Sequence, residues 1–185
     1  QNLVTAADRL SKGSTVWFTG LSGSGKSSVA MLVEQKLLAA GRPAYVLDGD
    51  NLRHGLNADL GFSMDDRAEN LRRSHTLRRC SPTRARSCWC PPSAAGRASR
   101  AGPPSARRTW IRLLRGVLRH PPLADCERRD PKGLYAKARR GEITHFTGID
   151  SPYQRPKDPD LRLTPDYTPP DELAQQVIDL LGKRA

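Results

Sequence analysis

Residues 20–27 read Gly-Leu-Ser-Gly-Ser-Gly-Lys-Ser and match the phosphate-binding pattern G-x-x-x-x-G-K-[ST] in full. The flanks fit it. Thr15, Val16, Trp17 and Phe18 before the glycines are β-prone and largely apolar, as a buried strand requires. Over 28–40, Val29, Leu32, Val33 and Leu37 recur at helical spacing, and Gly41 stands where that helix should stop. Strand, glycine turn and helix N-terminus together make an anion site, because backbone N–H groups converge on phosphate oxygens and the helix dipole adds favourable potential. Lys26 is then placed to reach the β- and γ-phosphates and the Ser27 hydroxyl to ligate Mg²⁺, with Gly20, Ser22, Gly23, Ser24, Gly25 and Ser28 completing the cradle. A chance glycine-rich turn is the bland alternative, and the strand and helix on either side argue against it. The sequence predicts a bound nucleoside triphosphate.

The 185 residues favour one domain, 1–185, long enough for a three-layer α/β core. No signal peptide and no apolar run able to span a bilayer stand in the sequence, which predicts a soluble, cytoplasmic protein with no membrane partner. The chain begins with Gln1 rather than Met, and 1–13 reads as a linker from an upstream domain. Its formal net charge of +12 suggests nucleic acid, but the distribution of that charge does not. Between Ser74 and Leu123 there are eleven Arg and no Lys, Asp or Glu; taking these from the 31 basic residues leaves 20 against 19 acidic ones. The basicity belongs to one segment, and no nucleic-acid partner is expected. Cys80, Cys88 and Cys90 share that segment, but Cys88-Trp89-Cys90 lacks the two-residue gap of a zinc knuckle and no paired His/Cys cluster follows. Cys126 reads as a small buried residue rather than a nucleophile.

Beyond the first helix, Pro43, Ala44, Tyr45, Val46 and Leu47 read as a second buried strand that ends in Asp48-Gly49-Asp50. Acids at a strand's carboxyl end lie where doubly wound sheets hold ligands. A loop with Asn51, Arg53, His54, Asn57 and Phe62 follows, and 65–73 reads as the charge-laced start of a helix. The stretch 130–150, basic and punctuated by glycines, reads either as a lid over a phosphoryl donor or as a solvated surface helix. Residues 160–163 suit a short edge strand. At the end, Thr168 as cap, Pro169 and Pro170 in the first positions and the stripe Leu173, Val177, Leu180, Leu181 predict a helix.

Six segments in order resemble the adenylylsulfate kinase family: 20–27, Asp48-Gly-Asp-Asn-Leu-Arg53, Leu60-Gly-Phe-Ser63, Arg67-Ala-Glu-Asn-Leu-Arg-Arg73, Asp130-Pro-Lys-Gly-Leu-Tyr135 and Phe146-Thr-Gly-Ile-Asp-Ser-Pro-Tyr153. The likeness covers roughly 14–73 and 123–182. It implies a three-layer α/β/α P-loop NTPase fold with a mainly parallel, five-stranded sheet. It also implies transfer of the γ-phosphate of ATP to the ribose 3′-hydroxyl of adenosine 5′-phosphosulfate, a step of sulfate assimilation. By the same resemblance Asp50 lies near the acceptor hydroxyl as base or orienting group, in a reaction that needs mainly positioning. Arg53 and Arg67 would hold the phosphosulfate, as guanidinium forks suit oxyanions, and Asn70 would add a hydrogen bond. Phe62 and Phe146 would sandwich the adenine with Ile149 nearby, while Lys132 and Lys137 would bring charge to the phosphates. The residues alone leave plainer readings open: Asp50 capping the next turn, two core phenylalanines, ordinary surface arginines. The likeness is strongest to kinase domains fused behind a sulfate-adenylylating GTPase subunit, which implies a fused or associated sulfate adenylyltransferase, and it allows a homodimer.

Residues 74–122 depart from the family. Two more central parallel strands belong here, each a near-continuous apolar run, yet the block carries seven prolines and eleven arginines and lacks the family's Ile-Ser-Pro loop. Back-translation with GC-rich codons offers a cause. Read out of frame, 74–90 becomes an amphipathic helix, a turn and an apolar strand, 94–102 regains a family-like segment, and 110–120 becomes a second apolar strand. The block therefore reads as an out-of-frame translation bounded by small insertions or deletions. If that frame is the expressed one, two of about five strands should be lost and no stable kinase should form. Two other functions share the loop: a nucleoside or sugar kinase, and an arginine-rich nucleic-acid-binding protein with a nucleotide switch. The last fits poorly, since Trp89 and Trp110 are the block's only aromatics.

Overall fold

The computed structural model describes residues 14–61, 63–80, 86–90, 112–118, 123–153, 159–163 and 168–183. Strand β1 (Ser14–Thr19) passes through the glycine turn into α1 (Lys26–Ala39). A Schellman-type end closes α1: Gly41 takes φ 67°, its N–H donates to the Leu38 carbonyl at 2.9 Å, and the Arg42 N–H donates to the Leu37 carbonyl at 2.9 Å. Strand β2 (Ala44–Asp48) then runs directly into the single-turn α2 (Gly49–Arg53). Helix α3 (Met64–Cys80) starts at Ser63, whose Oγ accepts the Asp66 N–H at 3.1 Å. The remaining elements are β3 (Arg86–Cys90), β4 (Arg112–Leu118), α4 (Leu123–Arg129), α5 (Leu134–Arg139), β5 (Leu161–Leu163) and α6 (Pro170–Lys183). No described helix is long and apolar enough to cross a membrane.

Among the described residues the five strands are all parallel, in the order β2-β3-β1-β4-β5. The two-residue period of β1 builds the layers on either side. Val16 and Phe18 bury against Val29, Val33 and Leu37 of α1 and against Leu173, Val177 and Leu181 of α6. Trp17, on the opposite face, packs with Leu71 of α3. Each such side chain stabilises the fold by about 1.5–3 kcal/mol. A separate cluster gathers Leu21 of the glycine turn, Cys126 of α4, Tyr135 and Ala138 of α5, and Phe146. At the sheet's edge, the Val46 N–H of β2 donates to Glu34 Oε1 of α1 at 2.6 Å.

The expected loss of two central strands is not found. β3 pairs with both β2 and β1, and β4 with both β1 and β5. Strand ladders are built from backbone groups, and the block keeps short β-prone runs at 88–90, 113–114 and 117–118. In the ladder these meet buried partners: Cys88 and Leu114 register with Val16, Trp89 with Trp17, and Leu118 with Leu163. Arg86 and Arg112 register with Ala44 and Ser14, but Arg115 registers with buried Trp17. The two strands fall at the two places where the out-of-frame reading yields apolar strands.

Candidate active site

Three glycines shape the turn between β1 and α1. Gly23 and Gly25 have φ of 70° and 84°, values that favour a residue without a Cβ, and Gly20 has φ 156°. A Cβ on Gly23 would also meet the Cys126 carbonyl oxygen at 3.2 Å, so the turn and α4 approach closely. Gly25 is the N-cap of α1 and offers no side-chain cap, which leaves the positive end of a 14-residue helix open to an anion. Inside the turn, the Leu21 carbonyl accepts from Ser24 Oγ at 2.8 Å and from Lys26 Nζ at 2.6 Å. Ser27 Oγ donates to Asp48 Oδ2 at 2.8 Å, while Asp48 Oδ1 accepts the Asp50 and Asn51 N–H groups at 2.8 and 3.4 Å. Asp48 is thus the cap of α2, the role the sequence had left open for Asp50. Asp50 instead forms an ion pair with Lys132 across the site, both side chains about half exposed.

A cavity of about 590 Å³ joins these groups to a second set, a volume within the ~300–1,000 Å³ range of small-molecule sites. Arg53 and Arg67 stand in its wall, with Arg129 a third arginine of the lining. Arg67 is buried; its Nη1 donates to Thr147 Oγ1 at 3.0 Å and its Nη2 to the His145 carbonyl. Burial pulls the Arg67 guanidinium's pKa down and the neighbouring Arg53 charge adds to this, against the Asp150 carboxylate. Burial likewise lowers that of Arg53, which Asp50 and Asp66 oppose. Arg53 Nη1 donates to the Leu60 and Gly61 carbonyls at 3.2 and 2.8 Å. Two partly desolvated guanidinium groups beside each other favour an oxyanion between them. Phe146 completes this wall, held edge-to-face by Tyr135 with ring centres 5.0 Å apart and planes at 82°.

The adenylylsulphate kinase family model matches residues 12–164. The chain belongs to the adenylylsulphate kinase family. The bifunctional enzyme CysN/CysC of Mycobacterium tuberculosis is 64% identical over 185 residues, covering 98% of this chain. This chain spans only 29% of that relative's length. The probable adenylyl-sulfate kinase of Bacillus subtilis is 44% identical over 191 residues, covering 98% of this chain and 92% of the relative. Among solved structures, the Mycobacterium tuberculosis APS kinase CysC in complex with AMPPNP and APS superposes with a TM-score of 0.82. It is 63% identical, covering 92% of this chain and 98% of that one.

Of the site residues expected from the family likeness, Ser22 to Ser28, Asp50, Arg53, Arg67, Lys132 and Phe146 line the one cavity. Others do not. Asn70 is fully buried on α3, its carbonyl accepting from Ser74 Oγ at 2.6 Å. Ile149 packs behind Phe146 in the Tyr135 cluster, and Lys137 is exposed on α5. Phe62 lies outside the described residues. The stretch from 130 onward is no freely solvated helix, since Tyr135 is 1% exposed. Cys126 is 0% exposed, and burial pushes its thiol up from the ordinary cysteine value although the Lys26 ammonium opposes this, as suits a packing residue. Sequence reasoning missed Asp48, Arg129, Thr147 and Thr168 as wall residues. Asp48 and Thr147 stand inside motifs already singled out, so a signal was present; Arg129 and Thr168 carried none.

Proposed function

We propose that this chain transfers the γ-phosphoryl group of ATP to the 3′-hydroxyl of adenosine 5′-phosphosulfate, giving 3′-phosphoadenosine 5′-phosphosulfate. One observation carries the reading: a triphosphate cradle and a paired-arginine wall with an aromatic face open into the same cavity. The cradle's backbone N–H groups, the α1 dipole and Lys26 take the donor's phosphates. Arg53 and Arg67 take the acceptor's phosphosulfate, and Phe146 stacks on its adenine. Asn70 Nδ2 is buried and, among the described residues, without a hydrogen-bond partner, but Asn70 lies outside the cavity lining, so no contact with the acceptor is assigned to it. Asp50 accepts the hydrogen of the attacking hydroxyl and aims its oxygen at the γ-phosphorus; Lys132 holds Asp50 in place and lies where charge builds up in transfer.

Ser27 Oγ and the Asp48 carboxylate form a hard-oxygen pair that suits Mg²⁺, which keeps waters and substrate phosphates as its other ligands. When bound with ATP, the ion would neutralise charge on the β- and γ-phosphates. The chain also reads as the kinase portion of a longer cytoplasmic protein whose other part makes the acceptor nucleotide, in line with its bifunctional relatives.

The test is turnover with ATP and Mg²⁺, offering adenosine 5′-phosphosulfate, a nucleoside and a hexose side by side. Adenosine 5′-phosphosulfate should be the acceptor consumed, and Lys26→Ala should lower the rate about 100-fold or more. Turnover with the nucleoside or the hexose alone would reject the assignment.

A further inference from the structure

Tyr135 lines no part of the cavity, yet it touches both of its walls. The hydroxyl donates to the Ser22 carbonyl at 3.0 Å, across 113 residues of sequence. The ring makes the edge-to-face contact with Phe146. A tyrosine only 1% exposed would cost the fold a buried hydroxyl unless that group were bonded, and the Ser22 carbonyl supplies the bond.

The identity of that carbonyl matters. It belongs to the peptide between Ser22 and Gly23, and Gly23, with φ 70° and no Cβ, presents little barrier to a peptide flip. A flip would turn a carbonyl oxygen, the negative end of the dipole, toward the phosphates and take the Gly23 N–H away from them. The neighbouring Leu21 carbonyl is tied down within the turn itself, by Ser24 and Lys26. The Ser22 carbonyl is tied instead to a side chain on α5, outside the cavity.

We propose that Tyr135 is a positioning residue: its hydroxyl locks the Ser22–Gly23 peptide in the phosphate-binding orientation, and its ring seats Phe146 on the acceptor side. One side chain thereby sets donor and acceptor walls in fixed relation. The acceptor half of this statement rests on the function proposed above; the donor half rests only on triphosphate binding.

Tyr135→Phe keeps the ring and removes the lock. Calorimetric titration with Mg²⁺ and AMPPNP should show affinity about fivefold weaker than wild type, the loss of one hydrogen bond's worth. The KM for ATP should rise by a similar factor while the KM for adenosine 5′-phosphosulfate stays within about twofold, because Phe146 keeps its partner. Tyr135→Leu, which removes both contacts, should raise both KM values. Unchanged AMPPNP affinity in Tyr135→Phe overturns the lock, whatever happens to the thermal midpoint, since a merely structural tyrosine would lower the midpoint alone. A wild-type protein that phosphorylates only a different acceptor would sink the proposed function, yet the AMPPNP comparison would still decide the lock.

Discussion

Strands β2 and β4 belong to one sheet and read oppositely in sequence. β2 carries Tyr45, Val46 and Leu47 and delivers Asp48 to the site, but as an edge strand it is not the buried strand its apolar run predicts: Tyr45 is 60% exposed. β4 has a pairing partner on both sides, the position that most demands an apolar run, yet contains Arg112 and Arg115. β2 holds register with β3 over its whole length, and β4 with β1 over Arg112–Val117 and with β5 over Gly116–Leu118. The contrast is between a strand whose composition matches a sheet position and one whose backbone pairs there in spite of its composition. That composition bears on how stable the placement is.

The largest test of this contrast is to repair β4 and its surroundings together. We propose that 74–122 is an out-of-frame reading, and sequencing the gene between the codons for Arg73 and Asp125 decides it: a clean in-frame gene refutes the idea. A chain carrying the in-frame residues should be more stable than this one, since central parallel strands are built from near-continuous apolar runs. Cooperative thermal unfolding of both chains measures the gap. Next in size, Phe18→Ala on β1, the strand between β3 and β4, should cost about 3–5 kcal/mol in denaturant titration. Arg115→Val should act in the opposite direction, raising stability by about 1–3 kcal/mol, because Arg115 registers with buried Trp17. A destabilised Arg115→Val would show that the arginine is well accommodated.

At the β2 end the effects are smaller. Asp48→Ala removes the cap of α2 and the partner of Ser27; stability should fall by about 0.5–2 kcal/mol while the Mg²⁺ dependence of turnover shifts to higher concentration. Smallest of all is the pH response of α3. Hydrogen bonds from Arg72 and Arg73 hold the half-buried Glu69 carboxyl at about 2, below its ordinary 4.5. The depressed value means that the contribution is present above about pH 4.5 and is lost as pH falls toward 2. Thermal midpoints of wild type and Glu69→Gln should therefore differ at neutral pH and converge in acid.

Much of this was legible beforehand where one local pattern carries one role. The glycine turn, α1 with its Gly41 stop, the Asp48–Asp50 acids, the edge strand β5 and the stripe of α6 stand where spacing puts them, although α6 starts at Pro170 and Pro169, not Thr168, holds its cap position. Long-range contacts were harder to read. Asp48 bonds Ser27 from 21 residues away, and nothing in Asp-Gly-Asp says which acid faces inward. Lys137 follows Lys132 in a basic motif, but the turn of α5 that buries Tyr135 and Ala138 leaves it exposed. The two central strands were misjudged because composition over a block hides the register of the few residues that count.

The bond from Glu34 to Val46 has a consequence for how these molecules meet one another. An edge strand is a template on which a second polypeptide can grow, and β2 is such an edge. With its Val46 N–H already taken by a carboxylate from α1, the donor at the middle of that template is occupied and a negative charge stands beside it. A sheet so closed on its β2 side resists edge-to-edge growth into fibres, and crowded solutions should drive this protein to aggregate elsewhere first.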